Sequence, residues 1–315
     1  MFLKNEPQTP SPRVQITTKQ FQIFTDMNLV WDFLVDIYDR NGGGLPAPFF
    51  EYAMSSSWMN TTYIHLYRLW FDDDKVVGFV FSEDPATDVY FEVRPGYEYL
   101  AEEMMDYAEK HMPNFGKQKF ILFNGQEALM KVAEKRGYKD EYSYESYYYD
   151  FENELNRELP EGYHFVDPKE ADIVKISKCC WYGFDHGEKG PFENWDAEDD
   201  SDEWTPAKSY RDNEASALAP TPHATSEYDV IIADENDEYV CFCGMWWVEK
   251  NHLAYMEPLC TVPEHRCKGL AEAALTKQYR TLKPLGATHM TGGDDPFYKK
   301  IGYGPGRVWH IYNKN

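Results

Sequence analysis

Residues Glu257 to Ala271 read Glu-Pro-Leu-Cys-Thr-Val-Pro-Glu-His-Arg-Cys-Lys-Gly-Leu-Ala, and the reading of this stretch decides the fold. A strand-like run, Leu253 to Thr261, leads into it, and a helix-like run from Gly269 to Lys283 leads out. The turn between them, Arg266-Cys267-Lys268-Gly269-Leu270-Ala271, is basic and contains a glycine. The first N–H groups of a helix have no intrahelical partner and point outward. The macrodipole adds roughly half a positive charge at the same end. A diphosphate seated there satisfies both, and Gly269 lets it approach the backbone because no side chain blocks the way. The stretch therefore predicts a strand, a phosphate-holding turn and a helix, in that order.

Two neighbouring segments add to it. Upstream, Tyr255-Met-Glu-Pro-Leu-Cys-Thr-Val-Pro263 is a strand with a proline inside it and another just before the turn. Downstream lies Thr291-Gly-Gly-Asp-Asp-Pro-Phe-Tyr-Lys-Lys-Ile-Gly-Tyr303. In order and spacing the three segments resemble the acyl-coenzyme A loop, central strand and final helix of the GNAT N-acyltransferase superfamily. The resemblance implies acetyl-CoA as co-substrate. It implies that the backbone of Leu259, Cys260 and Thr261 binds the pantetheine arm as an added strand would. Arg266, Cys267, Lys268, Gly269, Leu270 and Ala271 would hold the pyrophosphate. Tyr298 matches the tyrosine that protonates the departing thiolate. Thr291 stands where many members carry an asparagine that bonds the cofactor.

Acyl transfer to an amine also needs a base, for which a carboxylate is suited. Glu257 lies two residues before Leu259, on the same strand face, and is the candidate. Tyr255 shares that face and is expected to line the amine pocket, and a backbone N–H near Thr261 to polarise the thioester carbonyl.

The chain of 315 residues predicts two domains of about 150 residues each. Its net charge of −23 argues against nucleic acid and against anionic membranes, and is compatible with a cationic amine. No apolar run reaches the ~18 residues of a membrane span, and residues 1–7 lack a signal-peptide core, so a cytoplasmic protein is expected. The six cysteines form no C-x-x-C pair, and no histidine pair has zinc-like spacing, so no metal is expected. The acidic run Asp196 to Glu203 lacks the glycine and closing glutamate of a calcium loop and reads as a solvated loop. Absence of G-x-G-x-x-G after a strand and of G-x-S-x-G argues against a nucleotide dehydrogenase and a serine hydrolase.

The order of predicted elements runs twice: strand, helices, hairpin, strand, helix, strand, helix, strand. Both passes end their last helix alike, at Arg136-Gly137-Tyr138 and at Ile301-Gly302-Tyr303. We expect an α/β chain of two tandem GNAT-like domains, each a mixed, mostly antiparallel sheet flanked by helices. The boundaries are 1–151 for the first, 152–161 for a linker, and 162–315 for the catalytic second, with an acidic insertion at 188–225. Where the second half has Arg266 to Ala271, the first has Arg94-Pro-Gly-Tyr-Glu-Tyr-Leu100, with proline in the turn and no phenol matching Tyr298. The first is expected to be a degenerate copy. The expected activity is N-acetylation of a primary amine on a small, cationic molecule. A catalytically silent acyl-CoA sensor or scaffold, and a peptide or protein N-acetyltransferase, remain as alternatives.

Overall fold

The computed structural model describes residues 15–56, 58–198, 204–218 and 221–314. The first half contains β1 (Ile16–Gln20), α1 (Ile23–Ile37), α2 (Ala47–Ser55), β2 (Arg68–Asp72), β3 (Lys75–Ser82), β4 (Asp88–Val93), α3 (Ala101–His111), β5 (Lys119–Phe123), α4 (Glu127–Lys135) and β6 (Lys139–Asp150). The second half contains β7 (Tyr163–Val166), α5 (Ile173–Gly183), α6 (Pro206–Leu218), β8 (Val230–Asp234), β9 (Tyr239–Val248), β10 (Leu253–Thr261), α7 (Leu270–Leu282), β11 (His289–Thr291), α8 (Pro296–Lys300) and β12 (Gly304–Asn313).

Local patterning explains most of these elements. β3 and β9 are buried almost throughout, as expected of strands covered by helices on both faces. In α3, Ala101, Met104, Met105 and Ala108 fall at helical spacing and are buried, while Glu102, Glu103 and Lys110 lie off that stripe. Asp26 lies inside α1 rather than at its cap, and its carboxylate accepts the Gln22 N–H at 2.9 Å and pairs with Lys19 at 2.7 Å.

The two expected sheets run together into one. Its twelve strands are ordered β1-β2-β3-β4-β5-β12-β6-β11-β10-β9-β8-β7. The β4–β5 and β10–β11 pairs are parallel and the others antiparallel. The final strands of the halves are exchanged. β12 lies against β5 of the first half, with Trp309 opposite Phe123 and Ile311 opposite Ile121. β6 lies against β11 of the second half, with Tyr149 opposite Met290. β12 and β6 then pair with each other at the centre. Packing follows the exchange: Trp309 and Tyr312 are buried in the first half's core, and Tyr147 and Tyr149 in the second's.

The segment joining the halves is docked, not loose. Leu155 is buried in the second core. The Arg157 N–H donates to Thr276 Oγ1 at 3.2 Å, Tyr279 Oη donates to the Asn153 carbonyl at 2.9 Å, and Arg280 reaches Asn156 and Glu158. All three partners lie on α7, so the segment runs along that helix.

Candidate acyl-CoA and acceptor site

The site begins where β10 and β11 part. They pair only through Leu253–His289 and Ala254–Met290. β11 stops at Thr291, while β10 continues to Thr261 with β9 on its other side. Thr291 Oγ1 accepts the Met256 N–H at 2.7 Å and closes the apex of the fork. Just beyond, the β9–β10 register shifts between Met256 and Leu259, where Pro258 interrupts the ladder. Gly244 on β9 makes the bulge possible. A Cβ there would sit 2.3 Å from the Glu257 carbonyl oxygen. Past the bulge, Val262 N–H donates to the Val240 carbonyl at 2.9 Å. Alternation along an antiparallel strand then turns the peptide groups of Leu259 away from β9, toward the open side of the fork.

The turn after β10 is held by its own side chains. Arg266 Nε donates to the Thr261 carbonyl at 3.0 Å, Nη2 donates to the Gly183 carbonyl at 2.8 Å, and the guanidinium pairs with Asp185 at 3.0 Å. Lys268 Nζ donates to Tyr163 Oη at 3.2 Å. Both basic side chains therefore brace the turn against α5 and β7. Cys267 is exposed and Cys260 is buried against Gly183. Gly269 has a φ of +85°, which suits glycine, and it offers α7 no side-chain cap, so the N–H groups at Leu270 and Ala271 remain outward-facing. A Cβ on Gly269 would lie 2.4–2.7 Å from the guanidinium of Arg157. A cation from the joining segment thus sits over the helix N-terminus. Uncapped N–H groups and a guanidinium suit a diphosphate.

The fork opens into a cavity of about 810 Å³ that lies between the halves. Its walls include Tyr255, Glu257, Leu259, Thr291 and Tyr298. Tyr255 Oη donates to Glu257 Oε2 in a short hydrogen bond. Burial raises the Glu257 pKa, against the lowering effect of that bond. Tyr298 is buried on α8, and burial, then Cys243, pushes its phenol well up. The glycines beside it are a steric requirement. A Cβ on Gly292 would stand 2.8 Å from rings of both Tyr298 and Tyr303, and one on Gly293 would stand 3.2 Å from Tyr298. The acidic insertion supplies Trp204, Ser209 and Asp212 to the cavity wall. It is clasped to the first half by His223, whose N–H and Nδ1 bond Glu51 of α2 at 2.9 and 2.8 Å and whose ring stacks on Trp31 at 4.0 Å.

Residues 189–303 match the family model described as "Acetyltransferase (GNAT) family". The match spans the greater part of the second half. Solved structures extend the likeness over both halves. A GCN5-related N-acetyltransferase from Sphaerobacter thermophilus aligns with a TM-score of 0.55 and 11% identity over 94% of each chain. A GNAT-family acetyltransferase from Colwellia psychrerythraea aligns at 0.58 and 10% identity, over 94% of this chain and 100% of that one. A tandem GNAT protein from the clavulanic acid biosynthesis pathway aligns at 0.57 and 11% identity, over 95% of this chain and 98% of that one. Among curated proteins none matches the sequence. The fold is thus that of tandem GNAT proteins, and the matched residues 189–303 are those of an acetyltransferase family whose co-substrate is acetyl-CoA.

The first half differs at the equivalent turn. Gly96, with a φ of +91°, parallels Gly269, but its N–H is taken by the Glu98 carboxylate at 2.9 and 3.0 Å. An internal anion thus occupies the position that the second half leaves open. A carboxyl of the cavity wall, Asp229, and one that interacts with Glu257, Glu83, come without any motif to announce them. Asp229 lines the cavity, accepts the Met245 N–H at 2.8 Å, and is raised by burial to about 8. Glu83, at the end of β3, is raised by burial and then by Glu257 to about 8. Arg157 was equally silent, being one charge in a charged linker. Among the described residues no cluster of His, Cys, Asp or Glu is arranged to hold a metal, and no helix is long and apolar enough to cross a membrane.

Proposed function

We propose that this tandem GNAT protein acetylates a primary amine of a small molecule by direct attack of the amine on the thioester. One observation carries the reading: the fork between β10 and β11 opens onto a cavity whose walls hold both a carboxyl, Glu257, and a phenol, Tyr298. Acetyl-CoA supplies the activated acetyl group. Leu259 offers the free peptide groups of β10 to the pantetheine arm. Gly269, Leu270 and Ala271 offer N–H groups to the diphosphate, with Arg157 adding a charge that the motif lacks. Glu257, made more basic by burial and oriented by Tyr255, takes the proton from the ammonium. Tyr298 keeps its proton at neutral pH and delivers it to the departing sulfur. The carboxyl groups of Asp212, Asp229 and Glu257 give the wall hydrogen-bond partners for an amine. The clasp between His223 and Glu51 limits the opening and favours a small acceptor over a protein.

The first half, residues 1–151, we take as a degenerate copy, because Glu98 fills its phosphate position. Residues 162–315 then carry the chemistry, with 152–161 as the joining segment.

Calorimetric titration with acetyl-CoA, followed by acetyl transfer to a panel of primary amines, tests the reading. The expected result is one site per chain and turnover that falls by on the order of 10²-fold in Tyr298→Phe with acetyl-CoA affinity retained. Binding without turnover on any amine supports a silent sensor instead. Absence of binding refutes the reading altogether.

A further inference from the structure

Arg307 is the unexplained charge of the cavity. It lines the wall from β12 and is 2% exposed. Its Nη2 donates to the Gly44 carbonyl at 2.7 Å. Among the described residues Nε and Nη1 have no hydrogen-bond partner. The guanidinium stacks on Phe123 at 4.1 Å and lies 5.8 Å from the Trp309 ring. An arginine stays charged, and its unpaired donors are costly when buried. Glu92 is fully enclosed and bonded to the Leu45 N–H, and burial raises it to about 8 against the lowering effect of the Arg307 charge, so near neutral pH it supplies little negative charge.

The position of Arg307 gives this charge a use. Ser146 and Arg307 are opposite each other on β6 and β12, and Tyr144, Ser146, Tyr148 and Trp309 line the same cavity at alternate positions, so all face it from one side of the sheet. β12 is three strand spacings from β10, on the order of 14 Å. The carboxyls of Glu257 and its neighbour Glu83 mark the proton-accepting end, and Phe49, Tyr144 and Trp309 form an aromatic stretch toward Arg307.

We propose that Arg307 binds a carboxylate of the acceptor, so that the substrate is an amino acid in the broad sense: an amine at the Glu257 end, an apolar spacer, and a carboxylate at the Arg307 end. This rests on the acetyl-transfer reading above and narrows it from a cation to a zwitterion.

The test uses matched probes, ω-amino acids of four to twelve carbons and their primary amides, with the full-length protein. Wild type is expected to favour the best acid over its amide by on the order of 10²-fold or more in kcat/KM. Arg307→Gln is expected to bring that ratio close to one, and Arg307→Lys to retain part of it. Each pair is also titrated directly into the protein by calorimetry, so that the site is read even where turnover is absent. A wild-type ratio near one, in turnover and in binding, overturns the proposal. So does an Arg307→Gln protein that weakens acid and amide alike, which marks a merely structural arginine. Should Arg307→Gln fail to fold, the Arg307→Lys ratio carries the same decision. Acetyl transfer without preference for acids refutes this inference alone, whereas absence of acetyl-CoA binding refutes the parent reading.

Discussion

Glu92 and Arg307 are buried at 1% and 2% exposure, carry opposite formal charges, and make no ion pair with each other among the described residues. Burial holds the Glu92 carboxyl protonated up to about 8, against an ordinary value of 4.5. The sign of the consequence is definite. The folded state binds the Glu92 proton more tightly than the unfolded state. The stabilisation is complete below the ordinary value and is lost as pH rises through about 8. Its size is a few kcal/mol at ~1.4 kcal/mol per pKa unit. The melting temperature should therefore fall between pH 6 and pH 9. Glu92→Gln should flatten that slope, as thermal melts across the range will show. Glu83 and Asp229 are displaced to about 8 in the same direction, so some slope should survive in the variant. A melting temperature that does not change from pH 6 to 9 in wild type would contradict this account.

At the scale of single elements, the fork depends on one small residue. Gly244→Ala would place a Cβ 2.3 Å from the Glu257 carbonyl, against backbone that has no other place to go. The variant should lose about 1–3 kcal/mol of stability and bind acetyl-CoA at least ~10-fold more weakly. Gly304→Ala, where a Cβ would meet nothing within 4 Å, should change neither, and melts with calorimetry compare the two. Which elements were legible beforehand follows from the range of the forces involved. The amphipathic stripe of α3, the β2–β3 and β8–β9 hairpins and the turn before α7 are written in residues a few positions apart. So are Glu257 and Tyr298, which patterning brought to one cavity wall. Gly244 carries no such signal, because its role is set by Pro258 on the neighbouring strand. Arg157 looked like one more charge in a polar linker until Thr276 and Lys268 fixed its place. Arg266 and Thr291 match their motif by type, yet both spend hydrogen bonds on bracing the protein. Arg307 stands in the last strand with no motif around it.

The whole molecule is tied together by β6 and β12, each of which completes the other half's sheet. Periodicity cannot reveal such an exchange, since a strand's alternation says which face is buried but not which neighbour it joins. Separately expressed residues 1–151 and 162–315 should accordingly fail to fold cooperatively, each leaving a parallel-paired strand, β5 or β11, with an open edge. Mixed from denaturant, the two fragments should reassemble into one particle. Circular dichroism and size-exclusion chromatography of each fragment, alone and together, will show it. A stable, soluble single half would contradict the exchange. The arrangement also sets the order of events during synthesis on the ribosome. β5 is made early, but its neighbour β12 emerges only after nearly two hundred further residues, about 180 from Phe123 to Gly304. The first half must wait, its edge exposed, until β12 has been made. Neither half can therefore be finished before the other has begun, and a chain that stalls late in translation leaves its earliest-made portion incomplete.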